Sequence, residues 1–507
     1  MNIRLLFACL GIMIILSSCT PERTLSTTPS LTPEIKPQIE PTNTIPGVPS
    51  PVGDETPSAS IDIETVLEML LDEEPEERDS AIQQIIANRD QRFIAVLIEL
   101  MRAAQIGLVP LPDYPLVVEA LETLSDQSFG RDWPAWIEWY GASELAAPKG
   151  FTSWKGRLLS GIDPRFAGFL KDEYPSRIRV EEIQWGGVMV DGIPALSNPE
   201  MIPADEAVYL DLGEPVFGIS LNGDARAYPL RIMDWHEMAN DVVGGVPVSL
   251  AYCTLCGAGI AFDGRAPDGN TYTFGSSGFL FRSNKLMYDR ETGALWNQLT
   301  GEPVLGDLAA YDLRLALLPL VLTSWSDWLA QHPDTQVLSL DTGYERPYEL
   351  GAAYGDYFSY EATMFPVWQR SDDLPAKSRV YALYLDGVPK AYSLDRLVED
   401  QVVNDTLGET PIVLVAQRET VEVEGYNQRA GVVAYDSGGE VRVFDRGEHS
   451  FSPGQQPGTL LDEHGKSWQV SEEKLVGPDG ETAARVSGHL AYWFGWFAFF
   501  PNTLIFK

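Results

Sequence analysis

The spacing of apolar residues divides the chain into an early stretch with a helical period and a longer stretch of short strands. Between residues 61 and 145, apolar side chains recur at i, i+3, i+4 and i+7, which is the period of an amphipathic helix. The sets are Ile82, Ile85 and Ile86; Phe93, Val96, Leu97, Leu100 and Met101; and Val117, Ala120, Leu121 and Leu124. This pattern predicts a small array of short antiparallel helices over residues 61–145.

From about residue 150 the pattern changes to short strands separated by turns. Asn222-Gly223 and Gly244-Gly245 are each typical of a two-residue hairpin turn between strands. The apolar run 246–252 leads directly into Cys-Thr-Leu-Cys-Gly, which indicates a buried strand that ends in a tight turn. Gly257 supplies the backbone freedom that such a turn needs.

The strand-rich part contains an internal repeat. VFGISLNGDARAYPL (216–230) matches VYALYLDGVPKAYSL (380–394) at an offset of 164, since Leu385 corresponds to Leu221. WSDWLAQHPDTQVL (325–338) matches WFGWFAFFPNTLIF (493–506) at an offset of 168. We therefore predict two copies of one β-rich unit, unit 1 over residues 150–345 and unit 2 over residues 346–507. The predicted fold class is α+β, with a HEAT-like helical domain followed by the duplicated β-rich domain.

The first 60 residues indicate export and a tether. Arg4 and the apolar run 5–16 are typical of a signal peptide, and the run is too short to span a bilayer comfortably. Leu16-Ser17-Ser18-Cys19 matches a bacterial lipobox, so we predict a signal peptide over residues 1–19 and lipidation of Cys19. Residues 20–60 are rich in Pro, Thr and Ser and predict a disordered tether. The expected product is a membrane lipoprotein that faces outside the cytoplasm.

Composition adds a limit on partners. The chain of 507 residues is too long for one core. Its 36 Lys and Arg against 73 Asp and Glu give a net charge of −37. Such a surface repels phosphate backbones, so we expect no nucleic-acid binding. The simplest interpretation of the charge is that acidic residues keep the protein soluble.

Chemically reactive residues concentrate in unit 1. Cys253 and Cys256 are the only cysteines outside the first twenty residues, and His236 and Glu237 lie a short way upstream. At the offset of 164 these four residues become Gln417, Thr420, Asp400 and Gln401 in unit 2. Because only one of the two copies carries these reactive residues, we predict a single site in unit 1. Sequence drift after the duplication would also produce this difference between the copies.

Three interpretations of this site stay open. In the first, Cys253, Cys256 and His236 bind copper or zinc, and Glu237, Met287 or His332 supplies a fourth ligand. In the second, the two cysteines form a dithiol–disulfide pair, although the residues that follow indicate a strand and not the long helix of thioredoxins. In the third, the cysteines are inert buried residues.

A neighbouring stretch predicts an anion pocket. Ser277, Arg282 and Lys285 offer hydrogen-bond donors and positive charge, and Asp289 lies close by in sequence. The alternative is that Arg282 and Asp289 pair with each other in a loop. The chain has no Gly-x-Ser-x-Gly elbow at this place, and no Walker A or dinucleotide-binding glycine pattern follows a strand.

Several ordered motifs together resemble a known family. They are WGGVMVDGIPAL, the stretch from NGDARAYPL to CTLCGAGIAF, SGFLFRSNKLMYDRETGALWNQLTGEPVLG and WLAQHPDT. They are similar to the bacterial and archaeal family catalogued as domain of unknown function 3179, over about residues 150–507. That family often has a proline where this chain has Thr254. The resemblance implies an exported or lipid-anchored protein, and it implies no activity because the family has none established.

The hypothesis that follows is a surface lipoprotein that binds a transition metal or a redox-linked ligand at one His/Cys/Cys site. The first alternative is a thiol- or metal-dependent oxidoreductase that uses the same residues. The second is a non-catalytic surface protein whose helical domain recruits a protein partner. Whether the chain is an enzyme stays open at this point.

Overall fold

The structure is a computed structural model that describes residues 61–109, 114–358, 360–416, 422–428, 431–436 and 439–507. The predicted signal peptide, Cys19 and the predicted tether lie outside these residues. Seven helices precede the first described strand: α1 (Ile63–Met69), α2 (Pro75–Asn88), α3 (Ile94–Gln105), α4 (Tyr114–Ser125), α5 (Trp133–Gly141), α6 (Phe151–Leu159) and α7 (Phe166–Phe169). Asp132 caps α5 by accepting a hydrogen bond from the Ala135 N–H at 3.1 Å.

The helical part extends beyond the sequence prediction. The strand pattern was expected from about residue 150, but α6 and α7 continue the helices to Phe169, and β1 begins only at Ile183. The physical reason lies at Lys155, a charged residue on the buried side of α6 that interrupts its apolar period. Its ammonium group is fully buried and donates to Glu99 Oε1 on α3 at 2.6 Å, which ties the two helices together.

The elements of unit 1 form three five-stranded sheets. The sheet orders are β1-β9-β10-β11-β12, β13-β8-β7-β6-β2 and β14-β4-β5-β15-β3. The strands and helices are β1 (Ile183–Trp185), β2 (Leu196–Ser197), β3 (Met201–Pro203), β4 (Pro215–Leu221), β5 (Asp224–Pro229), α8 (Leu230–His236), β6 (Met238–Val243), β7 (Val246–Cys253), β8 (Ala258–Asp263), β9 (Phe274–Phe281), β10 (Asn284–Asp289), β11 (Leu295–Asn297), β12 (Glu302–Leu305), β13 (Leu317–Leu318), β14 (Val321–Ser324), α9 (Trp325–Gln331) and β15 (Gln336–Leu338).

The elements of unit 2 form a four-stranded sheet, an eight-stranded sheet and a two-stranded ribbon. Their orders are β28-β16-β17-β29, β18-β19-β22-β27-β26-β25-β24-β23 and β20-β21. The elements are β16 (Arg379–Leu385), β17 (Val388–Ser393), α10 (Leu394–Asp400), β18 (Val402–Leu407), β19 (Thr410–Ala416), β20 (Glu422–Asn427), β21 (Gly431–Asp436), β22 (Val441–Asp445), β23 (Ser452–Pro453), β24 (Thr459–Leu461), β25 (Ser467–Val470), β26 (Lys474–Val476), β27 (Thr482–Val486), β28 (His489–Tyr492), α11 (Trp493–Phe497) and β29 (Leu504–Phe506).

The repeat in the sequence is also a repeat in the structure. The bounds of β4, β5 and α8 lie 164 residues before those of β16, β17 and α10 (379 − 215 = 164). The sheets β14-β4-β5-β15 and β28-β16-β17-β29 share their order, and the last strand joins in parallel in both. Asn222 and Asp386 open the equivalent hairpin turns with φ of 51° and 52°. The predicted hairpins and the α+β order, helices first and strands afterwards, are confirmed.

The two cysteines lie where several elements of both units meet. They belong to one apolar cluster with Met287, Trp296 and Trp493. Residues 339–378 connect β15 to β16, and we call this segment the strap; its described residues contain one short 3₁₀ turn, Gly355–Phe358. Within the described chain, no helix has the length and apolar character that a bilayer crossing requires.

Candidate functional site

The cysteines stand on a turn between two strands. Cys253 ends β7, the 3₁₀ turn Thr254–Cys256 follows, and Cys253 pairs with Ala258 at the start of β8. Gly257 has a φ of +59°, and a Cβ atom there would lie 3.1 Å from the Tyr492 ring. The turn therefore needs glycine for its conformation and for space. Both cysteines are free thiols, with exposed fractions of 2% at Cys253 and 0% at Cys256.

A strained turn faces the cysteine turn. Arg282 and Ser283 join β9 to β10 with φ of +50° and +63°, and Phe281 pairs with Asn284 across them. A turn of this type normally uses Asn and Gly, because non-glycine residues adopt positive φ only with strain. The strained turn aims the Ser283 carbonyl at the site, where it accepts a hydrogen bond from Cys256 Sγ at 3.0 Å.

The two thiols are electrostatically unequal. Burial raises the pKa of Cys253, but the neighbouring Cys256 thiol and the main-chain N–H groups of Lys285 and Cys256 outweigh it, so that this pKa is lowered. Burial and the neighbouring Cys253 hold the pKa of Cys256 well above its usual range. Cys253 is therefore the sulfur of the pair that ionises first.

A buried ion pair lies beside the cysteine turn. Lys285 Nζ is 2.7 Å from Glu237 Oε2, and both side chains are more than nine-tenths buried. Glu237 directly follows α8 in the left-handed conformation, with φ of +54°, and its carbonyl accepts the Tyr252 N–H at 2.6 Å. The Tyr354 hydroxyl donates to Glu237 Oε1 at 2.6 Å. The carboxylate is thus held on one oxygen by Lys285 and on the other by the strap.

The strap covers the site through three tyrosine hydroxyls. Besides Tyr354, the Tyr357 hydroxyl donates to the Leu255 carbonyl at 2.6 Å, and Leu255 lies between the two cysteines. The Tyr348 hydroxyl lies 2.6 Å from His236 Nε2. These contacts explain why the cysteine turn is buried although it stands at the end of a strand.

His236 is engaged with partners other than the sulfurs. Its Nδ1 lies 2.7 Å from the Pro194 carbonyl and its Nε2 accepts from Tyr348, so the ring is neutral with the proton on Nδ1. Burial lowers the pKa of His236 to about 4, which agrees with a neutral ring. Among the residues that the structure describes, no three His, Cys, Asp or Glu side chains are placed to hold a metal ion together.

The other predicted metal ligands have packing roles. Met287 is fully buried in the same apolar cluster as the cysteines. His332 stacks on Trp328 with ring centroids 4.1 Å apart, and Phe500 stacks on Trp496 at 4.2 Å in the equivalent place of unit 2. An aromatic ring of either kind serves this position, so the stack accounts for His332 without a ligand.

The predicted anion pocket is not assembled, because its members have separate partners. Ser277 Oγ donates to the Leu286 carbonyl at 2.6 Å within its own sheet. Arg282 bonds to Glu182 at 2.8 Å and not to Asp289, so the alternative pairing was also wrong. Asp289 instead accepts from the indole of Trp296 at 2.8 Å, as Asp462 does from Trp468 in unit 2. Only Lys285 of this set lies at the cysteine turn.

Sequence reasoning missed the strap and the pairing of Lys285 with Glu237. Both residues were candidates, but they were assigned to different sites because they are far apart in sequence. Tyr348, Tyr354 and Tyr357 were not candidates at all. The sequence feature that could have identified these tyrosines is their position in the segment that joins the two copies, outside the repeat.

Comparison with known proteins adds a family and no activity. The family described as Protein of unknown function (DUF3179) matches residues 190–503. No curated protein and no solved structure matches the chain.

Proposed function

The chain belongs to the DUF3179 family, and we propose that Cys253 and Cys256 form a redox-active dithiol in it. The observation that carries this proposal is the unequal pair of free thiols on one turn, flanked by the buried Lys285–Glu237 ion pair. A thiolate is the reactive form of cysteine, and this arrangement favours the thiolate at Cys253.

The proposed reaction is thiol–disulfide exchange with a disulfide co-substrate. The Cys253 thiolate attacks one sulfur of the co-substrate, forms a mixed disulfide and releases the other sulfur as a thiolate. Cys256 then loses its proton, attacks Cys253 and releases the second co-substrate sulfur. The two cysteines lose two electrons and the co-substrate gains them, so a disulfide and a dithiol exchange places. The leaving sulfurs depart as one thiol and one thiolate.

The polar groups that lie around the two cysteines support this function over an inert structural role. Two buried thiols in a passive core need only apolar neighbours. Here the Ser283 carbonyl, the Asn284 side chain and the Lys285–Glu237 pair all lie at the cysteines. Burying an ion pair is costly, and this pair places a carboxylate where its charge acts on both sulfurs.

Copper binding on the same two sulfurs is the second candidate. Two thiolates on one turn suit Cu(I), which prefers soft ligands. His236 does not contribute in this arrangement, since both of its ring nitrogens have other partners. A zinc site would need further ligands beyond the two sulfurs.

We also propose that the site works outside the cytoplasm. This part of the proposal rests on the signal peptide and on the lipobox that ends at Cys19. A lipid anchor and a tether would hold the folded part at the membrane surface, where disulfides persist. The helical part, α1 to α7, offers a surface for a protein partner.

The test uses the full chain with Cys9→Ser and Cys19→Ser, which leaves only the two site cysteines. The reduced protein, purified without chelator, is mixed with glutathione disulfide, and the products are weighed by mass spectrometry beside Cys253→Ser and Cys256→Ser. We expect an internal disulfide in the parent, and a stable mixed disulfide only in Cys256→Ser. Two thiols that stay free in the folded protein would refute the dithiol. Copper that is stoichiometric in the parent and absent from both variants would favour the second candidate.

A further inference from the structure

We infer that Glu237 is the proton acceptor for Cys256 when the disulfide closes, and that Lys285 and Tyr354 hold its carboxylate in place. This inference rests on the proposed dithiol function. It assigns a role to a buried carboxylate that the exchange reaction alone does not explain.

The backbone brings Glu237 and Lys285 to the cysteine turn from two sides. The Glu237 carbonyl is bonded to the N–H of Tyr252, the residue before Cys253. The Lys285 main-chain N–H lies beside Cys253 and lowers the pKa of that thiol. Glu237 is therefore fixed to the turn through its main chain, β10 carries Lys285 to the same place, and the two side chains meet at 2.7 Å. A side chain held by its own backbone in this way is oriented before the reaction begins.

The second copy shows that the scaffold does not require an acid at the place of Glu237. Gln401 occupies the place of Glu237, with a φ of +60° and a carbonyl that accepts the Ala416 N–H at 2.8 Å. The equivalent residues Phe274 and Phe451 lie 177 apart (451 − 274 = 177), whereas Asp289 and Asp462, which bond equivalent tryptophans, lie 173 apart (462 − 289 = 173), so the hairpin that carries Lys285 is four residues shorter in unit 2 and Lys285 has no equivalent there. The corner after α10 thus forms without the acid, and the second copy also lacks the lysine. Both charges occur only in the copy that has the cysteines.

Closure of the disulfide requires a base that removes the proton of Cys256. Because the pKa of Cys253 is lowered and that of Cys256 is raised, Cys256 keeps its proton when Cys253 has ionised; this proton is donated to the Ser283 carbonyl. After Cys253 has formed the mixed disulfide, that proton must leave before Cys256 can attack. Glu237 accepts it, the Cys256–Cys253 bond forms, and the Cys253–co-substrate bond breaks. The proton then passes to the departing thiolate, so atoms and charge balance.

Other ionisable groups also face the site, and none replaces the carboxylate. Lys285 is a cation that pairs with Glu237, and Tyr354 already donates to it. The Tyr357 hydroxyl is committed to the Leu255 carbonyl. Asp234 on α8 and Tyr492 on β28 are charged or polar neighbours of Tyr252. Glu237 is the group whose negative charge opposes ionisation of both sulfurs.

The test compares Glu237→Gln with the parent in the chain that carries Cys9→Ser and Cys19→Ser. Because Glu237→Gln leaves Lys285 without its carboxylate, the double variant Glu237→Gln with Lys285→Met is measured as well. Glu349→Gln, an exposed strap carboxylate, is the matched control for loss of one charge. The reduced proteins react with glutathione disulfide from about pH 5 to about pH 9, and acid-quenched samples are weighed.

We expect the parent and Glu349→Gln to pass directly to the internal disulfide. In Glu237→Gln, closure slows about a hundredfold near neutral pH and the mixed disulfide accumulates. The defect shrinks as the pH rises, because hydroxide replaces the missing base. The first step, measured separately as alkylation of Cys253 with iodoacetamide in Cys256→Ser, becomes about threefold faster without the carboxylate, since its repulsion of the thiolate is lost.

This opposite effect on the two steps is the signature of a base. A merely structural role would slow or speed both steps together. Closure in both Glu237 variants at the parent's rate and with its pH profile would overturn the assignment while leaving the dithiol function intact. A parent that forms neither a mixed nor an internal disulfide would overturn the function and the assignment together.

Discussion

The hydroxyl of Tyr357 donates to the carbonyl of Leu255 over 2.6 Å, so the strap is bonded to the main chain between the two cysteines. The bond is reinforced by Lys377, whose ammonium nitrogen lies 3.3 Å from the centre of the Tyr357 ring. Because Cys253 is only 2% exposed, we expect a co-substrate to reach it when this contact opens. Access to the site is therefore a property of the strap and not of the cysteine turn alone.

Removing the Tyr357 hydroxyl should expose the thiols. Tyr357→Phe leaves the Leu255 carbonyl without its donor, and one buried hydrogen bond contributes about 1 kcal/mol. We expect the two thiols to react with iodoacetamide about fivefold faster, because local opening becomes more frequent. The measurement is the alkylation rate under conditions where the whole protein stays folded.

Tyr360→Phe is the matched control for this experiment. Tyr360 lies on the same strap with 61% of its surface exposed, so loss of its hydroxyl should leave the alkylation rate unchanged. Equal rates in both variants would show that the strap does not limit access to Cys253.

The scaffold could be predicted from the sequence because its signals are local or repeated. Asn222-Gly223 marks a hairpin through two residues that tolerate positive φ, and both do adopt it. The offsets of 164 and 168 predicted the equivalent strands of the two units without any knowledge of their packing. Helix α6 was not predicted because Lys155 interrupts its apolar face, and the acceptors that explain a buried lysine there, Glu99 and the carbonyls of Val180 and Ile183, are distant in sequence.

The site could be predicted only in part, because its contacts are not local. The cysteine turn was found from its spacing, since Cys-x-x-Cys is visible in any sequence. The opposing turn at Arg282 and Ser283 has no glycine, so no residue there indicates positive φ. Proximity in sequence suggested His236 as a ligand, but the strap supplies Tyr348 to it from a segment without periodicity.

His489 should lower the stability of the folded protein, and more so in mild acid. It is 7% exposed, and neither ring nitrogen has a hydrogen-bond partner among the described residues. Burial lowers the pKa of His489 to about 4. His489 therefore takes up a proton near pH 6.5 in the unfolded chain but only near pH 4 in the folded protein. The free energy of unfolding consequently falls as the pH drops from about 6.5 to about 4.

Val321 occupies the equivalent place in unit 1 (489 − 168 = 321), so His489→Val is the natural substitution. We expect it to raise the free energy of unfolding by about 1–2 kcal/mol at neutral pH, because a buried polar group without a partner is removed. The gain should grow as the pH falls from about 6.5 to about 4, by up to about 3 kcal/mol. Urea unfolding at several pH values measures both the gain at neutral pH and its increase in acid. A gain that does not depend on pH would contradict the assigned proton linkage.

Arg442 should be among the most sensitive positions for stability. It is fully buried in unit 2 and pairs with Glu440 and Glu472, which are also buried. Glu440 in turn accepts from the Thr323 hydroxyl of unit 1 at 2.6 Å, so the network joins the two units. Arg442→Met leaves two carboxylates buried without their cation, and we expect a loss of about 3–5 kcal/mol in the free energy of unfolding.

Arg396→Met is the control for the Arg442 prediction. Arg396 also pairs with two carboxylates, Glu399 and Asp400, but 42% of its side chain is exposed. Water replaces such partners, so the loss should stay below about 1 kcal/mol. Adding Glu440→Gln and Glu472→Gln to Arg442→Met should recover part of the stability, since the unpaired charges are then removed. A triple variant no more stable than Arg442→Met would assign the loss to packing.

Two equivalent asparagines allow the effect of burial to be separated from that of the hydrogen bond. The Asn240 side chain donates to the Phe274 carbonyl and accepts the Phe274 N–H, both at 2.9 Å. In the same way, the Asn404 side chain donates to the Phe451 carbonyl at 2.7 Å and accepts the Phe451 N–H at 2.8 Å. Asn240 is buried, whereas Asn404 is exposed. Asn240→Ala leaves two main-chain groups without a partner or water, so we expect a loss of about 2–3 kcal/mol in the free energy of unfolding.

Asn404→Ala should lower the free energy of unfolding by about 1 kcal/mol or less, because water reaches the same two groups of Phe451. The comparison is controlled by the fold itself, since both asparagines occupy equivalent strands, β6 and β18, and make the same pair of bonds. Parallel urea titrations of the two variants provide the measurement. Equal losses would mean that the pair of hydrogen bonds contributes through its geometry and not through its burial.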